Sequence, residues 1–456
     1  MMTASLDQKS KLERTVLRPL TSTSRVWYAW TGFLIILIAW GLYAYSVQLR
    51  HGLVETAMRD KVIWGFYITN FVFFIGISHA GTLISAILRV TGAEWRRPIT
   101  RMAECITVVA LMVGGLMPVV DLGRPDRIPN LILHGRFASP IIWDFISIAT
   151  YFTGSLIYLY LPLIPDFALV RDRLGPSASR LRRRVSTLLA LGWTGTPEQR
   201  RRLQKAIGIM MILIIPIAIS VHTVVSWIFG MTMRAGWNST VFGPYFVVGA
   251  IFSGVAGIIT VMFIFRRVYH LEEYITEKHF HYLGYLLLAM AAIYTYFTLA
   301  EYLTVAYKLE EGEKELLHEL FLGRYAWAFW TFSLAGTLLP MVLIALPVTR
   351  NIPGIVLASV LVNVGMWLKR FVIVIPSLAL PLMPYDWGNY KPTWVEISIT
   401  VGAFAGFALI FTLFAKLFPL ISAWEVEEGW EKEQELAVSG ARAGAVPEPA
   451  YGGGGS

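Results

Sequence analysis

Ten apolar runs govern what this chain can fold into. They lie at approximately 27–49, 62–90, 98–120, 140–163, 205–230, 242–266, 281–307, 325–346, 353–375 and 394–418. About 20 such residues cross the roughly 30 Å of bilayer hydrocarbon as a helix. Away from water the backbone must satisfy its own hydrogen bonds, which a helix does within one segment. The expected fold is therefore all-α and integral to the membrane, with about ten transmembrane helices. Composition removes the soluble alternative: 15% of the 456 residues are charged, against about 25% in a soluble domain. The 56% hydrophobic share likewise excludes a disordered chain. Cys105 is the only cysteine, which rules out an internal disulfide and a thiolate metal cluster. Any iron–sulfur centre would have to sit on a partner.

Residues 1–26 are polar and basic, with no short apolar core leading to a small-residue cleavage site, so no removable signal peptide is expected. An even number of spans puts both termini on one side. Two thirds of the 39 Lys and Arg fall on that side, dominated by Arg171, Arg173, Arg180, Arg182, Arg183, Arg184, Arg200, Arg201, Arg202 and Lys205. By the positive-inside rule this side is cytoplasmic and the protein is a multi-pass protein of the cell's inner (plasma) membrane. The net charge of +9 reads as a topology signal and as contact with anionic lipid. Nucleic acid is not an expected partner, because the basic residues are juxtamembrane and not interleaved with exposed aromatics. Segment 423–437 is acidic and amphipathic (Glu425, Glu427, Glu428, Glu431, Glu433, Glu435), and the Gly-rich end reads as a flexible tail or an added linker.

Span 2 carries Ser78-His79-Ala80-Gly81, and span 6, four spans on, carries Gly254-Val255-Ala256-Gly257. This echo suggests two four-helix bundles, spans 2–5 and 6–9, related as a parallel repeat with spans 1 and 10 peripheral. Small residues at such spacing also recur in any closely packed membrane bundle. The division expected is 1–26 as a cytoplasmic N-terminal segment and 27–61 as span 1 with its outer loop. Residues 62–230 form the first bundle, with a basic cytoplasmic loop at 164–204, and 231–375 the second. Residues 376–418 hold an outer loop and span 10, and 419–456 a cytoplasmic acidic helix and tail.

Ionisable groups in hydrocarbon are costly, so each is a functional candidate. His79 lies slightly inward of the middle of span 2, and Asp121 and Arg124 cap the outer end of span 3. Asp144 is one turn into span 4, and His222 is in the outer half of span 5, beyond a kink expected at Pro216. Glu301 sits in the outer third of span 7, with Lys369 and Arg370 in the outer third of span 9. Nearly all share the outer half of the membrane, a coincidence of depth not expected of scattered structural pairs. Glu104, in the inner third of span 3, is the exception; with His79 it could begin a proton route to the cytoplasm. Each also has a plainer reading, as an ion pair pinning helices, or, for Asp121 with Arg124, as a turn clasp around Gly123 and Pro125.

Carboxylate, imidazole and guanidinium groups beside an aromatic, lipid-accessible wall suit a quinone. Quinol hydroxyls need a proton acceptor near each oxygen, and the isoprenoid tail needs an opening to lipid. A b-type cytochrome is the competing reading, with His79 and His222 as the only candidate ligand pair for a haem. A secondary transporter with a midplane site between repeats is a third.

The stretch Gly76-Ile77-Ser78-His79-Ala80-Gly81-Thr82, followed by Asp121-Leu122-Gly123-Arg124-Pro125, resembles the polysulfide-reductase membrane-subunit (NrfD-like) family; the Asp-Leu-Gly-Arg-Pro turn is its most specific motif. Ser139-Pro140-Ile141-Ile142-Trp143-Asp144 and Leu163-Ile164-Pro165-Asp166-Phe167-Ala168 are similar to the ten-span members found in alternative complex III. The resemblance is strongest over roughly 62–175 and elsewhere rests on hydropathy and span count. It implies a subunit without haem or metal that binds menaquinone, menaquinol or another quinone near the outer face. Implied partners are c-type haem subunits, an outer-side iron–sulfur subunit and a paralogous membrane subunit. His79, Asp121 and Asp144 carry over as quinone-contacting proton acceptors, with Arg124 orienting Asp121. The expected function is quinol oxidation within a respiratory or photosynthetic complex. Arg370 and Lys369 would hold the ligand or pair with Glu301, and Glu104, His222 and Glu301 would form a proton path. A quinone-free, proton-conducting or scaffolding paralogue is the alternative within the same family.

Overall fold

All ten apolar runs are helices in the computed structural model, which describes residues 2–174, 180–232 and 234–430. Among the described residues there is no strand. The chain is a multi-pass integral membrane protein. Spans 1 to 3 run Arg25–His51, Phe66–Val90 and Arg97–Asp121; spans 4 and 5 run Pro140–Leu174 and Pro197–Gly230. Spans 6 and 7 are Phe242–Val268 and Glu277–Lys308, span 8 is Ala326–Ala345, and spans 9 and 10 are Ile352–Ala379 and Trp394–Leu417. Local chemistry sets many of the ends. Ser24 and Thr196 accept from backbone N–H groups of the first turns of spans 1 and 5. Thr393 with Glu396 forms a capping box on span 10. Span 1 stops at Gly52, whose φ of 86° suits a residue without a Cβ.

The helices extend beyond what hydropathy marks. Span 4 continues to Leu174, and Arg180–Leu189 is a further helix, so the basic connection at 164–204 is mostly helical and not a loop. A helix that leaves the hydrocarbon becomes polar without ceasing to be a helix, and an apolar-run count ends too early. Pro216 lies inside an uninterrupted Pro197–Gly230 helix. The 431–437 part of the acidic stretch and the Gly-rich end lie outside the described residues.

Spans 2–5 pack together, and so do spans 6–9. Span 2 touches spans 6 and 9, and span 6 touches spans 2 and 5, the reciprocal pattern that a twofold repeat produces. The echoed small residues lie at its centre: a Cβ on Gly254 would stand 2.7 Å from the Ala80 nitrogen. Spans 1 and 10 pair with each other where Gly41 and Gly402 bring their backbones together, and they lean on spans 2 and 3. The helix Met2–Thr21 packs on span 10, and Lys416 Nζ donates to the Pro19 carbonyl oxygen at 2.8 Å. Both ends of the described chain thus share one face, called here the terminus face.

Span 8 departs from regular winding. It is α-helical over Ala326–Trp330, a π-helix over Thr331–Leu338, and α-helical again over Leu339–Ala345. Its Gly336 backbone is pressed on Gly365 of span 9, where a Cβ would come within 2.5 Å of Gly365 Cα.

Candidate functional site

The predicted proton acceptors stand at three heights of the first bundle. Thr107 Oγ1 donates to the Ser78 carbonyl oxygen at 2.6 Å, which sets Thr107 level with His79. Asp121 is four turns further along span 3, roughly 20 Å away at 1.5 Å per residue. Tyr151 packs on His79 with ring centroids 5.3 Å apart, and Asp144 lies two turns beyond it on span 4, roughly 10 Å away. One head group cannot touch all three. They form a ladder and not a single cluster.

At the top of the ladder, Asp121 has a buried Oδ1 with no hydrogen-bond partner. Its charged and polar surroundings are Glu396 and Tyr67. Tyr67 donates to Gln48 Oε1 at 2.6 Å, and Gln48 donates to the Val120 carbonyl oxygen at 2.8 Å. Glu396 is tied to the Tyr390 hydroxyl and to the Ala57 N–H, the latter at 2.7 Å. The expected clasp is absent: Arg124 forms a two-pronged pair with Asp126 at 2.9 and 3.0 Å, both exposed. Gly123, with φ of 63°, turns the chain so that position 124 points to solvent while Asp121 stays in the bundle. Arg124 therefore does not orient Asp121.

Asp144 also keeps a buried, unpartnered Oδ1. Along the same face of span 4 come Tyr151, Ser155, Tyr158 and Asp166, polar residues at helical spacing. Tyr158 meets Ser85 at 3.3 Å, and Ser85 donates to Glu104 Oε1 at 3.0 Å. Glu104 is fully enclosed at the terminus-side end of this stripe. That periodicity was visible in the sequence, but a search restricted to charged residues passes over tyrosine and serine.

Within the first bundle, His79 of span 2 and His222 of span 5 touch, with ring centroids 4.0 Å apart at 69°. His79 Nε2 lies 2.6 Å from the Ala218 carbonyl oxygen and Nδ1 3.2 Å from that of Ile75. Both His222 ring nitrogens are buried without partners. The two rings, the only candidate haem-ligand pair, lie in direct contact at crossed planes and are not opposed across a gap. Arg370 is the next charge beyond His222 and borders Tyr294. Its Nε and Nη2 have no hydrogen-bond partners.

The second bundle holds its own polar centre. Lys369 Nζ donates to the Tyr302 hydroxyl at 2.9 Å. It also lies 4.8 to 5.0 Å from the ring centres of Tyr302, Phe332 and Tyr245, an aromatic cage of the kind that holds cations. A cavity of about 30 Å³, the volume of one water, is lined by Lys369, Glu301 and Tyr302 among others. Glu301 Oε2 is buried and unpartnered. Of the two partners predicted for Glu301, Lys369 lies beside it across this cavity, and no ion pair joins Glu301 to Arg370.

On the terminus face, Glu425 is fully buried and bonded to Arg89 at 2.7 Å and Arg96 at 3.3 Å. Burial pushes its carboxyl upward, but Arg89, Arg96 and Arg101 outweigh that and hold it below the usual carboxylate range. Arg101 pairs with Asp166 at 2.7 Å, both buried. Among the described residues no group of three or more His, Cys, Asp or Glu is arranged to hold a metal ion.

A ten-span helical bundle with acids, imidazoles and hydroxyls strung through its interior defines an integral membrane protein that keeps ionisable groups buried among its spans. The polysulphide reductase (NrfD) family model matches residues 54–381, and the chain belongs to that family. It is similar to a provisionally named membrane subunit of dimethyl sulfoxide reductase from Halobacterium salinarum, at 29% identity over 90% of this chain and 95% of that protein. A selenate reductase subunit from Mesobacillus selenatarsenatis is 25% identical over 84% of this chain and 92% of its own length. The integral membrane subunit of menaquinone reductase from Nitratidesulfovibrio vulgaris is 22% identical over 86% and 91%.

Proposed function

We propose that this chain is the quinone-exchanging membrane subunit of a multisubunit redox complex, oxidising menaquinol or a related quinol near the face opposite its termini. The observation that carries the reading is the pair of buried carboxylate oxygens, on Asp121 and Asp144, that no protein group satisfies. Buried polar atoms are normally bonded, so these two are positioned for something the protein does not supply. A quinol, when bound, supplies two electrons and two protons. Asp144 and Asp121 accept a proton at Oδ1, and His79 continues the route inward through Tyr151. Arg370 provides positive charge at the depth of His222. The arginine excess supports a cytoplasmic terminus face, with the carboxylates toward the outside. Relatives named as subunits of reductases support a place beside redox partners. An outer-side iron–sulfur subunit would take the electrons, with c-type haem subunits and a paralogous membrane subunit in an arrangement like alternative complex III.

The stripe from Glu104 through Ser85, Tyr158 and Tyr151 to His79, and onward past His222 toward Glu301, also favours proton conduction through this chain. The two readings part in one experiment. In the purified complex, Asp144→Asn and Asp121→Asn are expected to lower quinol-dependent reduction of the partner cofactors at least tenfold, within the range of a lost general base. Glu104→Gln should leave that reduction intact while lowering proton release into reconstituted vesicles. Full quinol oxidation in both aspartate variants would sink the quinol site and leave a proton-conducting scaffold.

A further inference from the structure

Beside the π-helical part of span 8 the protein carries a cavity of about 370 Å³, set against the last third of span 7. Tyr302, Phe329, Phe332 and Ser333 form its inner wall, and Leu299 and Leu303 its rim. Both leucines are exposed on a membrane-spanning helix, so the mouth faces sideways into hydrocarbon. None of the lining residues is charged. The volume falls within the range of small-molecule pockets, about 300–1,000 Å³.

Two features mark this as more than a gap between helices. The Ser333 hydroxyl, in the wall, is buried without a hydrogen-bond partner. A serine in a helix ordinarily donates to a carbonyl one turn back. Here the winding is wider: Thr337 reaches the Phe332 carbonyl five residues back, at 3.1 Å, while Ser333 is left free. Single turns of π-helix inside α-helices occur frequently at functional sites. Directly behind the wall, the Tyr302 hydroxyl takes the Lys369 proton donor, with Glu301 across the water-sized cavity.

We propose that this pocket is a second quinone-binding site, lodged in the second bundle and separate from the ladder of the first. It admits the flat ring of an isoprenoid quinone from the bilayer, and Ser333 Oγ donates to a ring oxygen. The aromatic walls match a planar ring, and the lone free hydroxyl matches its carbonyl. An acyl chain would leave that hydroxyl unsatisfied, and a phospholipid head group would find no cation in the lining. Lys369 and Glu301 stand one residue behind, where they can exchange a proton with the Tyr302 hydroxyl. The choice of a quinone rests on reading the chain as a quinone-exchanging subunit.

The test is photolabelling of the intact complex with an azido-naphthoquinone, followed by peptide mapping. The expected result is label on 326–345 as well as on the first bundle, with both removed by excess unmodified naphthoquinone. Leu299→Trp, which fills the mouth from a lipid-facing position, should abolish the 326–345 label and spare the first-bundle label. Ser333→Ala should weaken competition at 326–345 about fivefold, the worth of one hydrogen bond. Label confined to the first bundle would overturn the second site and leave the proposed function standing; label on neither bundle would overturn both. Label at 326–345 displaced by phospholipid but not by naphthoquinone would make the cavity an acyl groove. Label appearing there only after partner subunits are stripped away would make it a subunit interface. Either result rejects the proposal.

Discussion

Around Lys369 Nζ, three aromatic rings and a tyrosine oxygen take the place of water. Such a cage makes the residue testable in a way few buried charges are. Methionine has similar length and packs well among rings, and replacing a buried charge by a well-packed apolar residue is often neutral or stabilising. Lys369→Met is therefore expected to keep or raise the thermal stability of the complex while lowering turnover severalfold. Equal activity in the variant would make Lys369 a packing device. The sequence disclosed the charge and its depth, but not the cage, since Tyr245, Tyr302 and Phe332 come from three other helices. The reverse happened at Asp121: the motif drew Arg124 to it, and the backbone turn at Gly123 sent that arginine to Asp126 instead. Proximity in sequence overrode nothing there; the left-handed turn did.

At the scale of helices, glycine contacts decide which spans meet. Gly254→Leu must push span 6 off the Ala80 backbone, since even a Cβ would lie 2.7 Å from its nitrogen. Overpacking of that kind costs about 1–3 kcal/mol or more, and here it parts the two bundles, so lower yield of folded protein by size-exclusion chromatography is expected. Gly336→Ala forces span 8 away from Gly365 and should lower thermal stability measurably. Gly115→Ala is the control: nothing lies within 4 Å of its Cβ position, and alanine is favoured over glycine in a helix interior by about 0.5–1 kcal/mol. A destabilised Gly115→Ala would undermine the packing account. Eight of the ten spans were legible to within four residues at each end, because hydrocarbon thickness writes itself into apolar run length; spans 4 and 5 run well past their apolar runs on the terminus side. The π-helix was not legible: nothing in the sequence of Thr331–Leu338 distinguishes it from the α-helical turns on either side.

Across the whole molecule, the segment after span 10 returns to the first bundle, and Glu425 is the residue that holds it. Its carboxyl is depressed in the folded protein, so it contributes stability above the ordinary glutamate range near about 4.3. That contribution fades as pH falls through the lower folded-state value. Hydrogen exchange over 419–430 should be slow at pH 7 and accelerate below about pH 4. Glu425→Gln at pH 7 should loosen the segment too, because Arg89 and Arg96 lose their carboxylate; breaking a buried pair costs about 3–5 kcal/mol. Unchanged exchange in Glu425→Gln would show that the segment's other ties hold it, among them Arg97 donating to the Glu425 carbonyl oxygen at 2.6 Å and Trp424 Nε1 to that of Pro162 at 3.0 Å. The amphipathic acidic stretch was readable, but its docking partners are arginines from spans 2 and 3 that no local pattern links to it.

The pairing of spans 1 and 10 has a further consequence, in the order of manufacture. A ribosome delivers span 1 before any other span and span 10 after all of them, yet Gly41 finds its seat only on Gly402. Until span 10 is made, the first span waits in the bilayer without its mate, and the two completed bundles stand without their shared flank. A chain cut short anywhere before Trp394 leaves that mate permanently missing, a vacancy that membrane proteases can recognise and act on.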